Sequence, residues 1–398
     1  MTKHEGNRNG RTTDVAKGHS PRNADTIIPL ASNIRTSSIP ADLIVTQEGL
    51  AELLHQVQTR DRIAIDTEAD SLHCYREKLC LLQLSTPESD FVLDPLALRD
   101  LSSLAGLLKE KEIVLHGADF DLRLLRRGIA LVPAGVFDTV IAARLLGQRQ
   151  FSLAALVHRY FGVELPKGSQ KANWARRPLP KRMLAYAVND THYLLELARR
   201  MEEELIAIGR LEWFRQSCQR AIEQAAMDRT REPDEVWRIS GSGALRGRAA
   251  AVLRELWHWR EKEAEAVDRP VFHILQNEEL LRAAAGFHAG ETPDYRHFSA
   301  RRRGAFNAAA QRGMEMPEAD WPVSRKRFGM RRSAEANDRV EELRRRRDEA
   351  AARLELEPAF VAPRAALEAI AVDESSVPTF LVPWQRELLG LDAGPSSF

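Results

Sequence analysis

IAIDTEAD, residues Ile63–Asp70, is the stretch on which the reading of this chain turns. The apolar run Ile63–Ile65 ends in two acids separated by one residue, and Arg62–Glu68 reads as a strand. Residues two apart in a strand point to the same face, so Asp66 and Glu68 emerge together where the apolar run stops. Neighbouring carboxylates repel unless a cation sits between them. An oxygen-rich pair on a rigid strand suits a hard divalent ion such as Mg²⁺. Taken alone, the DxE triplet is a common pattern and a weak signal.

Working outward, Cys80–Ser85, Phe91–Leu93 and Ile113–His116 read as further short strands. Leu101–Lys109, Asp119–Arg127, Thr139–Leu146, Ser152–Tyr160 and Lys181–Leu205 carry the apolar spacing of helices packed on a sheet. Asp138 stands where it can cap the helix after it, and Asp94 also reads as a cap or turn residue. Strands followed by alternating helix and strand indicate an α/β or α+β domain. Two more acidic segments follow within it. In HGADFDLRLL, residues His116–Leu125, Asp119 and Asp121 sit at a helix start, where the macrodipole favours negative charge. Capping accounts for Asp119, while Asp121 is open to either a structural or a ligand role. In YAVND, Tyr186–Asp190, a spacing of four puts phenol and carboxylate on one helical face.

The ordered set DTE, HGADFD and YAVND resembles the three exonuclease motifs of the DEDDy family, named for four acids and a tyrosine. DTEADSLHCYREKLCLLQLS, FDTVIAARLLG and KANWARRPLPKRMLAYAVNDTHYLL resemble the segments of ribonuclease D, so the likeness runs over Arg62–Leu197. Three weak motifs in the right order make one strong signal. The resemblance implies an α/β ribonuclease-H-like (DnaQ-like) domain with a mixed five-stranded sheet. It implies 3′→5′ hydrolysis of RNA to nucleoside 5′-monophosphates, with two divalent ions, Mg²⁺ or Mn²⁺, at the scissile phosphate. Carried over residue by residue, Asp66 bridges both ions, Glu68 and Asp190 complete the nucleophile side, Asp121 holds the second ion, and Tyr186 orients the attacking water. Precursor transfer RNAs with 3′ extensions are the implied substrates. DNA as the substrate, or a catalytically silent RNA-binding scaffold, are the rival readings, and the intact set of acids disfavours the scaffold. A RecQ-like helicase is excluded because no GxxxxGK[ST] loop occurs.

Around these motifs the readings stay open. His116 either touches the terminal nucleotide or is a helix-entry histidine bonded to backbone. KGSQKANWARRP places Lys167, Lys171, Trp174, Arg176 and Arg177 just before Tyr186. Lys171 and Arg176 are candidates for guiding a single strand, against a solvated loop with one buried tryptophan.

The second half reads as all helical: Ala244–Ala266, Glu278–Ala285, Ala300–Arg312, Ala334–Arg353 and Arg364–Ile370. Arg246–Ala285 resembles the helicase-and-RNase-D C-terminal (HRDC) module, with one of Trp257 and Trp259 expected in the core. RRRRDEAAARLELEPAFVAPRAALEAIA resembles a second, more degraded copy. The expected layout is a disordered tail over 1–40, the exonuclease domain over 41–212, a linker over 213–240, HRDC over 241–315 and a second HRDC-like region over 316–398, its end frayed over Gly394–Phe398. Basic runs at Arg301–Arg303, Ser324–Arg332 and Arg344–Arg347 read either as phosphate contacts or as a solvated face.

Composition bounds these readings. The 398 residues carry 58 basic and 57 acidic side chains, a net charge of +1, so a uniformly basic, histone-like binder is excluded but a local basic groove is not. With 44% hydrophobic residues a sizeable core is expected. Cys74, Cys80 and Cys218 form no CxxC pair, so neither zinc nor a disulfide framework is expected. No apolar run reaches the length of a transmembrane helix and no signal peptide is evident, so a soluble, cytoplasmic protein, monomeric by preference, is expected.

Overall fold

The structure is a computed structural model that describes residues 43–166, 168–227, 232–323 and 333–391. The 1–40 tail, Lys167, the basic run Ser324–Arg332 and the end at Gly394–Phe398 lie outside the described residues.

Five strands form one sheet in the order β3-β2-β1-β4-β5. They are β1 (Arg62–Ala69), β2 (Leu79–Ser85), β3 (Asp90–Leu93), β4 (Glu112–Leu115) and β5 (Gly135–Asp138). β2 runs antiparallel to β1 and β3, while β4 is parallel to β1 and β5, so the sheet is mixed. The strands are nearly continuous in apolar residues because helices cover both faces. On one face, Ile63, Ile65, Leu82, Leu84 and Ile113 pack under α1 (Gln47–Val57), α2 (Ser102–Lys109) and α3 (Asp119–Ile129). On the other, Ala64, Val114 and Phe137 pack under α4 (Thr139–Leu145), α5 (Leu153–Phe161), α7 (Leu194–Ala207) and α8 (Leu211–Ala226). Leu81 and Val92, on this second face, meet α6 (Lys181–His192).

Three sequence expectations need correction here. The strand reading from residues found four strands and missed β5, whose four residues GVFD are too few for a visible alternation. The single helix expected over Lys181–Leu205 is two, broken at Tyr193. At the break, Thr191 bonds Ser85 on β2 and His192 bonds Asp90 on β3, so the last turn of α6 is tied to the sheet. The stretch 213–240 was expected to be a linker, yet α8 occupies its first half. Phe214 and Cys218 of α8 are core residues, and Phe214 lies 4.4 Å from the Phe137 ring.

The helical half begins with α9 (Gly247–Ala266), α10 (Val271–Ile274), α11 (Asn277–His288) and α12 (Ala300–Glu315) around Trp259, Phe298 and Phe306. Trp259 is the buried member of the tryptophan pair and Trp257 is only partly covered. α12 crosses α9 so closely that a Cβ on Gly313 would lie 2.5 Å from Val252 Cα, which only glycine permits. Then come α13 (Ala334–Leu354), α14 (Pro358–Val361), α15 (Arg364–Val372), α16 (Val377–Phe380) and α17 (Pro383–Leu389). This last group docks on the sheet domain. Trp384 stacks on Trp213 of α8 with centroids 5.1 Å apart and donates its indole N–H to Ser217.

Candidate active site

β1 carries the site because its period of two separates two jobs. Ala64, Asp66 and Glu68 face α6, whereas Ile63, Ile65 and Thr67 face α3. α6 brings Asp190 to the carboxylates of β1: oxygens of Asp66, Glu68 and Asp190 all lie within 4.8 Å of one another. Tyr186, one turn earlier, packs its ring 6.3 Å from the buried Trp174 while its hydroxyl bears on Asp190. Asp121 arrives from the first turn of α3 and accepts a hydrogen bond from the Thr67 hydroxyl. Five residues from three distant segments are therefore assembled around one strand end.

Their electrostatics are one-sided. Burial raises Asp66 far above the usual carboxylate range, and Asp121, Asp190 and Glu68 add repulsion. Burial first and then Asp190 and Asp121 push Glu68 to about 9. Asp190 is pushed to about 7 by burial, the Tyr186 hydroxyl drawing it partly back. Asp121 is pushed to about 6, again by burial, with the Thr67 bond opposing. Tyr186 is raised by burial and by the surrounding acids, so its phenol keeps its proton at neutral pH. A cluster of hard oxygen donors that repel one another fits a divalent cation, which would remove the repulsion and satisfy the lone pairs.

The remaining candidates fall in different places. His116, at the end of β4, bonds through Nδ1 to Thr139 Oγ1 at 2.8 Å, and burial lowers its pKa. Thr139 gives its one proton to the Leu115 carbonyl at 3.1 Å, so His116 Nδ1 is the donor in their bond. Its partner is thus a side chain, where the structural alternative had the backbone, and His116 stands outside the carboxylate cluster. Lys171 and Arg176 are exposed, on a segment held by its neighbours. Arg177 grips Asp94 with two bonds of 2.5 and 2.6 Å and reaches the Cys80 carbonyl, so it anchors rather than guides.

Two anchors frame the site: Asp70, which sequence reading missed, and Asp138, which it read as a helix cap and which does cap α4 through Val140 N–H. Asp70 is buried and accepts from Lys78 N at 2.8 Å and Lys78 Nζ at 2.8 Å, closing the loop that follows β1. From that loop Tyr75 bonds Glu261 of α9 and Asp268 just beyond it. Asp138 accepts from the backbone N–H of Gly117, Ala118 and Val140, fixing the turn that delivers Asp121. The sequence signal for each was an acid next to a motif, which does not reveal its partner.

Of the three basic runs, one is partly and another largely neutralised by acids. Arg301 and Arg302 share the buried Glu263. Arg344 to Arg347 pair with Glu341, Glu342, Asp348 and Glu349 along α13. Among the described residues no helix is long and apolar enough to cross a membrane. The three cysteines are buried free thiols.

Known proteins resemble both halves of this chain. Residues 42–206 match the 3′-5′ exonuclease family, and residues 249–287 match the HRDC domain. A ribonuclease D of Sphingobium indicum is 33% identical over 61% of this chain and 63% of its own length. The mouse exosome complex component 10 is 34% identical over 62% of this chain and 29% of its own. The similarity thus spans less than two thirds of either relative. The crystal structure of Escherichia coli RNase D superposes with a TM-score of 0.70 over 89% of this chain and 99% of that one, at 23% identity, which speaks for a shared fold. The catalytic core of RRP6 from Trypanosoma brucei gives 0.58 over 74% and 84%, at 25% identity.

Proposed function

We infer that this chain, whose residues 42–206 form a 3′-5′ exonuclease domain and whose residues 249–287 form an HRDC domain, is a 3′→5′ exoribonuclease of the ribonuclease D type. The observation that carries the reading is the convergence of Asp66, Glu68 and Asp190 within 4.8 Å, with Asp121 and Tyr186 beside them. Asp66, Glu68 and Asp190 would hold one divalent cation, and Asp66 with Asp121 a second. Bound there, Mg²⁺ or Mn²⁺ supplies Lewis acidity for phosphodiester hydrolysis. The protein's own contribution is placement: strand β1 and helix α6 fix acids that would otherwise swing apart. Tyr186, protonated at neutral pH, donates a hydrogen bond that orients the attacking water and does not abstract its proton. Exposed Lys171 and Arg176 border the segment leading into α6 and would pair with phosphates of an incoming single strand. The substrates are RNA 3′ ends, with transfer RNA precursors first among them, and the protein acts in the cytoplasm as a monomer. The second HRDC-like region supports that strand beyond the first.

Digestion of 3′-labelled and 5′-labelled single-stranded RNA, with Mn²⁺ or EDTA and beside DNA of equal sequence, tests the reading. Metal-dependent release of the 3′-terminal mononucleotide from RNA, with DNA slower, is the expected result. Equal or faster loss of DNA would make the chain a deoxyribonuclease. Binding without cleavage of either would make it a scaffold.

A further inference from the structure

Asp121 poses a physical problem that its neighbours do not. Asp66, Glu68 and Asp190 meet on the α6 face of β1, but Asp121 comes from α3, which covers the opposite face. It stands close enough to Asp66 to be the foremost charged group raising it. A carboxylate among like charges gains by rotating away from them, and a helix side chain has the rotamers to do so. Something must hold it.

The holder is the residue between the two motif acids. Thr67 points to the α3 face, because its side chain alternates with those of Asp66 and Glu68. Its hydroxyl donates to Asp121 Oδ1. Both partners are buried, at 6% and 7% exposure, so the bond has little competition from water. Thr67 is β-branched, which suits a strand and leaves few rotamers, so the hydroxyl is fixed before Asp121 meets it. The hydroxyl thus engages Oδ1, and the backbone N–H groups of Asp121 and Thr67 add hydrogen bonds to the same carboxylate. We propose that Thr67 is the positioning residue for Asp121, holding its carboxylate at the strand end so that a second cation can be bound. This rests on the exonuclease reading for the identity of the site, but not on the protein's choice of RNA.

The test compares the full chain with Thr67→Val, which removes the hydroxyl at constant shape, and Thr67→Ser, which keeps it. Bound and free Mn²⁺ are counted by electron paramagnetic resonance, and kcat and KM are measured on single-stranded RNA. Expected are two unequal Mn²⁺ sites in the parent chain. Thr67→Val should weaken one of them about 10-fold or more, the usual effect of removing a group that orients a ligand. It should lower kcat with KM for RNA unchanged, and Thr67→Ser should restore both. Unchanged Mn²⁺ affinities in Thr67→Val, or a Ser variant as impaired as the Val variant, would overturn the proposal, the second by assigning the effect to packing. Should the Val variant not fold, Thr67→Ala carries the same comparison against Ser. A parent chain that binds Mn²⁺ yet releases no nucleotide from RNA refutes the exoribonuclease reading and leaves the Thr67 comparison intact.

Discussion

Asp190 is bound to be both necessary and costly. Its carboxylate completes the cluster with Asp66 and Glu68, and in the metal-free protein it repels both. Asp190→Asn should therefore abolish nuclease activity while raising the melting temperature in EDTA by roughly 2–4 °C, what about 1 kcal/mol yields for a domain of this size. A variant less stable than the parent in EDTA would remove the repulsion argument. The same repulsion sets a pH dependence. All four acids have folded-state pKa values above their unfolded ones, Asp121 at about 6, Asp190 at about 7 and Glu68 at about 9. The folded metal-free protein then holds more protons than the unfolded chain between about pH 4 and 9, so its stability falls as pH rises through that window. A cation replaces those protons, and the thermal shift given by Mg²⁺ or Mn²⁺ should grow steadily from pH 5.5 to 8.5. A shift equal at all pH values would contradict the cluster's electrostatics. Tyr186 is a different case: Tyr186→Phe keeps the ring on Trp174, so metal binding should persist while kcat drops on the order of 10²-fold.

At the scale of elements, the position of α6 decides whether Asp190 reaches β1 at all, and a buried polar network sets it. Ser85 on β2 meets both Asp90 Oδ1 and the Thr191 hydroxyl at 2.7 Å. His192 Nδ1 meets Asp90 Oδ2 at 2.8 Å. Both ring and carboxylate are almost fully buried. His192→Ala would strip Asp90 of this partner at a cost of about 1–3 kcal/mol, and scanning calorimetry should show the loss. His192→Asn, able to keep one donor, should recover part of it, and equal destabilisation by both would point to lost volume instead. This network also marks the limit of what the sequence discloses. β1, β2, α3 and the long helices of the second half were legible because apolar spacing is local. Asp66, Glu68, Tyr186 and Asp190 stood out because each pair sits on one element at a fixed spacing, a weak signal that the resemblance of the ordered motifs to the DEDDy family made strong. The break at Tyr193 and the packing of α8 were not, since both follow from bonds or contacts to residues about 80 or more positions away. Thr67 was written between two motif acids and still showed nothing, because its partner lies 54 residues on.

Across the whole molecule, the exonuclease domain is held from two sides, and this changes how nucleic-acid binding should be probed. On one side, Tyr75 in the loop after β1 bonds Glu261 and Asp268 of the HRDC region. On the other, Ala351, Leu356, Val361 and Trp384 enter the same apolar core as α4, α5, α7 and α8. Cutting the chain near Arg231 would uncover that core as well as remove basic residues, so weaker RNA binding by the shortened chain would have two causes. Charge replacement separates them. Arg345 and Arg346 are paired along α13, so replacing both with alanine should leave the salt dependence of RNA affinity unchanged. Lys171 and Arg176 are exposed, and replacing both should lower the slope of log K against log salt by roughly 1.4, two phosphate contacts to a single strand. Fluorescence anisotropy in EDTA measures both, and the reverse ranking would move the RNA path to the helical half. The docking itself is tested by Trp384→Ala. Trp384 is 1% exposed, stacked on Trp213 and bonded to Ser217, so its loss opens a cavity and removes the indole N–H that Ser217 accepts. A cost of about 3–5 kcal/mol is expected. Because the lost contact is shared, calorimetry should show the sheet domain and the C-terminal helices melting together at a lower temperature. Separation into two transitions, with the sheet domain's unmoved, would mean that the helices rest on the exonuclease domain without supporting it.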